Sequence, residues 1–154
     1  MTGGAPPAGD RPRTLDIAPG TRRMRADVGP LIRTLRPGLT ADAFDRFAAE
    51  AHAQGLVFTA AYAADGGCVA VATHRTLATS RGRILLVEDL VTDTARRSTG
   101  IGAHLYDVLV ERARAAGCAA VELDSGVTNH AAHRFYHARR MRVAAFHFRL
   151  DDLR

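Results

Sequence analysis

The sequence contains no lysine and no tryptophan, and it has only two cysteines among its 154 residues. With lysine absent, all 21 basic residues are arginine, and each keeps its charge at any working pH. Cys68 and Cys118 stand far apart, with no C-x-x-C pair and no histidine pair beside them. That excludes a disulfide framework and offers no zinc or redox motif, so both are read as small core residues. No stretch approaches the ~20 apolar residues of a membrane span, and residues 1–13 lack the continuous apolar segment of a secretory signal. A cytoplasmic location without a membrane partner is the expectation that follows.

Acidic residues are not lacking. Sixteen of them are interspersed with the arginines, leaving a net charge of +5. The arginines run from Arg11 to Arg154 without forming a block and without interleaved stacking aromatics, so nucleic acid is not expected as a partner. Apolar residues make up 47% and charged residues 24%, the proportions of an ordinary globular protein, and the length suits one core. The chain is therefore expected to be a tail over residues 1–13 followed by a single domain over 14–154.

Periodicity predicts the elements. Leu15 and Ile17 form a short strand, and Asp27 caps a helix carrying Val28, Leu31, Ile32 and Leu35. Thr40 caps a second helix that stops at Gly55. Two strands, Val57 to Ala63 and Cys68 to Thr73, flank the hairpin signal Asp65-Gly66-Gly67. A central strand, Ile84 to Thr92, is interrupted by Glu88 and Asp89. A long helix from Ile101 ends at Gly117, and a strand follows from Ala119 to Asp124, a crossover that implies parallel neighbours. Thr128 caps a helix with Ala132, Phe135 and Tyr136, and Phe146, Phe148 and Leu150 alternate in a last strand, Val143 to Leu150. The order β-α-α-β-β-β-α-β-α-β is that of a mixed sheet of six to seven strands with about four helices, in an α/β (α+β) domain.

The segment Arg96-Arg97-Ser98-Thr99-Gly100-Ile101-Gly102-Ala103 lies where the central strand ends and the long helix begins. Unpaired N–H groups of a first helical turn, glycines without Cβ atoms and two arginines make it a candidate anion site. It is neither a Walker loop nor a dinucleotide fingerprint, because no Gly-Lys-Ser/Thr follows and Leu105 stands at the third glycine position. The other reading is a tight strand-to-helix turn.

Arg97, Gly100 and Gly102 match a Q/R-x-x-G-x-G/A pattern that resembles the acyl-CoA-binding signature of the GNAT superfamily of N-acetyltransferases. Val87 to Asp93 resembles that family's central strand, and Asn129, Ala132 and Tyr136 keep its N-x-x-A-x-x-x-Y spacing. The resemblance runs from about Thr14 to Leu150. It implies acetyl-CoA as the acyl donor, an amine as the acceptor, and Leu90, Val91 and Thr92 as main-chain contacts to the pantetheine arm. Asn129 and Ala132 would help to hold that arm, although an asparagine after Thr128 also suits a helix cap.

An alkylamine has a pKa near ~10.4, so acyl transfer needs a group that takes its proton. The family places a glutamate where Glu88 stands, and partial burial in the apolar strand would raise its pKa toward neutrality and suit it as the base, directly or through water. Asp89 can exchange roles with it, and the alternative is a charged residue at a bulge or on a solvated face. Tyr136 resembles the family's tyrosine that donates to the leaving thiolate; plain core is its other reading. Asp124 and Ser125 end a strand expected to be parallel, where ligands of open sheets bind, and with Asp89 they are the candidate acceptor contacts. The acids Glu88, Asp89 and Asp93 would favour a cationic acceptor.

His130, His133 and His137 share a helix, but no cysteine or carboxylate completes a set there, so no metal is expected. The family's glycine and phenylalanine after this helix are replaced by Arg140 and Met141, which puts the geometry of the helix end in question. The resemblance favours a small-molecule amine and leaves three questions open. The chain could acetylate a protein amine, it could be a non-catalytic CoA-binding regulatory domain, and it could form the homodimer frequent in the family.

Overall fold

The computed structural model describes residues 11–96 and 99–154, which leaves Arg97, Ser98 and most of the expected tail outside the described residues. Packing divides the chain into one unit that ends at Glu122 and a second unit, Leu123–Arg154. The elements in chain order are β1 (Arg13–Asp16), α1 (Gly29–Leu35), α2 (Ala41–Ala53), β2 (Val57–Tyr62), β3 (Cys68–Thr79), β4 (Gly82–Thr92), α3 (Ile101–Ala115), β5 (Ala120–Leu123) and α4 (His130–Ala138). The fold is mixed α/β, with one five-stranded sheet in the order β1-β2-β3-β4-β5 and four helices. The first four strands are antiparallel neighbours, and β5 reaches the edge at β4 through the α3 crossover.

Several local signals fold as their chemistry predicts. Thr40 accepts from the Ala43 N–H and starts α2, and Gly55 at φ +92° follows its end. Asp65 accepts from the Gly67 N–H at 2.9 Å and shapes the β2–β3 turn. Asp27 departs from its expected role as a cap. It lies in a π-helical turn, Met24–Val28, whose following residue Gly29 bonds back to the Met24 carbonyl, and its carboxylate accepts from the Tyr62 hydroxyl at 2.7 Å. Helix α1 starts instead at Gly29 with Pro30 in its first turn, where a missing N–H costs nothing. A Cβ at Gly29 would stand 3.2 Å from the Phe44 ring, so any other residue would require that ring to give by a few tenths of an ångström.

One face of the sheet packs on α1 and α2. Met24, Val28, Ile32, Phe44, Ala48, Phe58, Ala60, Val71 and Val91 form its core, and Phe44, Phe47 and Phe58 meet edge to face at 6.0–6.4 Å. The other face lies under α3, which buries Leu105, Leu109 and Ala113. Under α3 sits a polar group that the sequence does not announce. Arg112 donates to Thr59 Oγ1 at 2.9 Å, to His74 Nε2 at 3.2 Å and to the Asp16 carboxylate at 2.8 Å. A guanidinium has no acceptor atom, so His74 Nε2 must keep its lone pair and the ring is neutral.

Burial, reinforced by the Arg112 charge, lowers the His74 pKa to about 4. The unfolded chain takes up this proton near 6.5, so between those values it binds more protons than the folded protein does. Stability from this residue is complete above pH ~6.5 and declines as the pH falls toward 4, by roughly 3 kcal/mol in all. Urea unfolding at pH 7 and pH 4.5 should show the decline, and His74→Gln should reduce it; an equal decline in both proteins would place its cause elsewhere.

Three strand expectations are corrected. Strand β3 runs on to Thr79 and β4 begins at Gly82, so the residues between Thr73 and Ile84 are hairpin rather than loop. These residues are mostly polar and only their exposure alternates, as in strands that extend past the core, which is a weaker signal than an apolar run. Residues 141–154 form no strand, and among the described residues the sheet has five strands rather than six to seven. In that segment Phe146 and Phe148 are 85% and 92% exposed. Alternation specifies a strand only when an edge accepts its N–H and C=O groups, and no described strand pairs with this one.

The cysteines are half-buried rather than core, and burial pushes the Cys68 thiol up to about 11, which leaves it a poor nucleophile. No helix among the described residues is long and apolar enough to cross a membrane.

Candidate active site

The interruption at Glu88 and Asp89 is a β-bulge. Thr73 pairs with Asp89 and His74 pairs with Val87, which leaves Glu88 without a partner across the ladder. Strict alternation would turn the side chains of Glu88 and Asp89 to opposite faces. With the extra residue, both find partners on the side where α1 and α2 end. Asp89 accepts from the Thr73 hydroxyl at 2.7 Å and from Arg36, the residue after α1, at 3.4 Å. Glu88 accepts from Arg75 Nε at 3.3 Å and from its terminal nitrogen at 2.8 and 3.1 Å. Arg75 also donates to the carbonyl of Gln54, the residue after α2, at 3.4 Å.

The expected apolar surroundings of Glu88 are therefore corrected to a fork-shaped ion pair with a side chain 34% exposed. Arg75 fixes the carboxylate in one orientation, and an ionised carboxylate offers about four lone-pair directions, so acceptor capacity remains for a water or an ammonium group. Arg75, Arg36 and Thr73 are the residues that sequence reasoning missed. An antiparallel β3–β4 register with a short turn would have placed Arg75 near Glu88, had the hairpin been read to its tip. Asp93 stands apart from the two acids and accepts from the Ala95 N–H at 3.1 Å, where it starts a 3₁₀ turn over Thr94–Arg96.

Strand β4 carries Leu90, Val91 and Thr92 opposite Ala72, Val71 and Ala70 of β3, with Val91 buried. Past its end the Arg96 guanidinium is held by Asp65 of the β2–β3 turn at 2.7 Å, and the Thr99 hydroxyl donates to the Arg96 carbonyl at 2.6 Å. The Gly67 N–H, and then Arg96, hold the Asp65 carboxyl below the usual range. Arg97 and Ser98, both expected to bind the anion, lie outside the described residues.

Gly100 precedes α3 with φ +81° and ψ +3°, a left-handed conformation that costs a residue with Cβ about 1–2 kcal/mol. Its N-cap residue, Gly100, brings no side chain, and among the described residues none caps the N–H groups of Ile101, Gly102 and Ala103 that open the first turn. The carbonyl of Gly100 accepts from His104 and begins the helical ladder. A helix start of this kind attracts an anion through its N–H groups and its dipole.

The remaining candidates belong to the second unit. Asn129, not Thr128, caps α4 by accepting from the Ala132 N–H at 3.2 Å, so its side chain is committed locally. Tyr136 is half-buried near the end of α4, its ring edge-on to Phe135 at 5.4 Å. Arg140 takes φ +61°, so the helix keeps the left-handed stop for which glycine is the usual residue. Asp124 pairs with His147 at 2.9 Å, and the Ser125 hydroxyl is buried with no hydrogen-bond partner among the described residues. His133 and His137 bond to the carbonyls of Gly126 and Met141, and no metal-binding cluster occurs among the described residues.

Comparison with known proteins gives these features a context. Residues 30–140 match the model of the acetyltransferase (GNAT) family. The uncharacterized N-acetyltransferase YhdJ of Bacillus subtilis is 45% identical over 56 residues, which span 36% of this chain and 39% of that protein. A putative acetyltransferase from Agrobacterium tumefaciens superposes with a TM-score of 0.75 and 27% identity over 91% of this chain and 99% of its own. Aminoglycoside N-acetyltransferase AAC(6')-Iy, solved in complex with CoA, superposes with a TM-score of 0.79 over 96% of this chain and 98% of its own. At 16% identity it attests the fold alone.

Proposed function

Because the chain belongs to the acetyltransferase (GNAT) family, we propose that it transfers the acetyl group of acetyl-CoA to the primary amine of a small molecule, by direct attack in a ternary complex. The observation that carries this reading is the start of α3 at a left-handed Gly100, without a side-chain cap among the described residues, eight positions after the last residue of the strand whose bulge holds Glu88. These residues fit the donor. The main-chain N–H groups of Ile101, Gly102 and Ala103 would hold its diphosphate, and Leu90 to Thr92 would offer backbone groups to its pantetheine arm.

When bound, acetyl-CoA supplies the thioester carbonyl. Glu88 takes the ammonium proton of the acceptor, through a water where the distance requires one, and the freed nitrogen lone pair forms the new C–N bond as the C–S bond breaks. Arg75 holds the carboxylate still while this happens. Tyr136 donates its phenolic proton to the departing sulfur, and the second proton, released by the nitrogen as it becomes an amide, restores the phenol through solvent. Asn129 would steady the helix that carries the tyrosine rather than reach the donor itself, given its cap to Ala132.

Two readouts test the reading: mass-spectrometric detection of an N-acetylated product from a pool of primary amines, and matching release of free thiol. Acetylated amine with one thiol per product supports it. Thiol release without acetylated amine, or neither product, contradicts it.

A further inference from the structure

The two carboxylates of the bulge do not form a bare negative site. Each has an arginine, Glu88 with Arg75 and Asp89 with Arg36, so the four side chains sum to zero charge. The third acid that would favour a cationic acceptor, Asp93, is engaged at the 3₁₀ turn. A cationic acceptor would gain little from this floor.

The two arginines differ in what they have left to offer. Arg75 is only 18% exposed, with both edges of its guanidinium engaged, by Glu88 and by the Gln54 carbonyl. Arg36 is 60% exposed, reaches Asp89 at a long 3.4 Å, and otherwise donates to the carbonyl of Leu35. Two of its five N–H donors are thus engaged, and Asp89 is already served by Thr73 at 2.7 Å. The turn that carries Arg36 is itself tied down, because Arg33 Nε donates to the Leu39 carbonyl at 2.8 Å and the Leu39 N–H bonds to Arg36. A guanidinium held at its base with donors still open is suited to a planar anion, which it can bind with two parallel hydrogen bonds.

On the reading that Glu88 receives the amine proton, we propose that the acceptor is a small amine that also carries a free carboxylate, and that Arg36 binds this carboxylate. The bulge makes Glu88 and Asp89 neighbours on one side of β4, so the amine and carboxylate of such an acceptor lie only a few bonds apart, as in an amino acid. Arg36 thereby sets specificity: it touches the acceptor and takes no part in the proton transfer.

The experiment pairs each of several short amino acids with its carboxamide, in one reaction with acetyl-CoA, and measures both acetylated products by mass spectrometry. The native protein should acetylate the carboxylate member with a kcat/KM at least about tenfold higher. In Arg36→Ala the KM for the carboxylate should rise roughly 10- to 100-fold and the preference should collapse toward one. Arg36→Lys, which keeps the charge but loses the fork, should retain part of it. The inference is overturned if native protein treats the pairs alike or favours the carboxamides, or if Arg36→Ala and Arg36→Lys both keep the native preference. Acetylation of other amines with no carboxylate preference overturns this inference alone, whereas no acetylated amine of any kind overturns the acetyltransferase reading with it.

Discussion

Glu88→Gln is expected to lower kcat by roughly 10²- to 10⁴-fold and to remove the acid limb of the kcat/KM profile, the usual consequence of losing a general base. The amide keeps the shape of the carboxylate, and its oxygen can still accept from Arg75, so the bulge and the neighbouring strands should fold as before. What disappears is the ability to take a proton. One of the two oxygens that Arg75 binds remains in the variant and the other becomes an NH2 group that cannot accept, so a melting curve on the same sample separates the loss of basicity from a loss of position. Asp89→Asn is the matched comparison, because Asp89 shares the bulge and is served by Thr73 and Arg36. Rate profiles from pH 5 to 9 decide between the two: an unchanged profile in Glu88→Gln with a lost limb in Asp89→Asn would move the base by one residue.

Tyr136→Phe should lower kcat by roughly 10²-fold while leaving the affinity for acetyl-CoA within about twofold. The variant removes one oxygen from a half-buried side chain on a helix with no fully buried residue and keeps the ring that meets Phe135. Stopped-flow measurement of thiol release, with a melting curve on the same samples, gives both quantities. A variant that loses stability in proportion to its activity would show that the hydroxyl is structural.

Much of the framework could be read from single residues with one mechanism each. Thr40 can only help α2 by capping it, Gly55 and Gly117 tolerate the positive φ that ends a helix, and Asp65-Gly66-Gly67 closes a hairpin through its own carboxylate. Arg140 is instructive because it keeps the left-handed stop at φ +61° despite its side chain. Local energies of about 1–2 kcal/mol do not override an otherwise determined chain path.

The candidate site was legible in its residues and not in their partners. Glu88 stood out as a charge in an apolar strand, yet its pairing with Arg75 depends on a one-residue shift between β3 and β4 that no periodicity records. Asp27 looked like a cap because it precedes a helical stripe; its carboxylate instead serves Tyr62, 35 positions away. The group of Asp16, Thr59, His74 and Arg112 draws on β1, β2, β3 and α3, and only the fold brings those residues together. The alternation of Phe146, Phe148 and Leu150 announces a strand, but pairing belongs to two segments and sequence shows only one.

The most direct test of the central claim, that the start of α3 behind Gly100 binds the diphosphate of acetyl-CoA, is a thermal melt with that donor at about 100 times its Kd, beside ATP and NAD at the same concentration. Ligand binding at that excess stabilises the folded state by ~2.7 kcal/mol, which for a chain of this length raises Tm by roughly 5–11 °C. Acetyl-CoA should produce that rise, Gly100→Val should abolish most of it, and ATP and NAD should leave Tm unchanged. A melting curve indifferent to acetyl-CoA, or one that responds equally to ATP, would contradict the account.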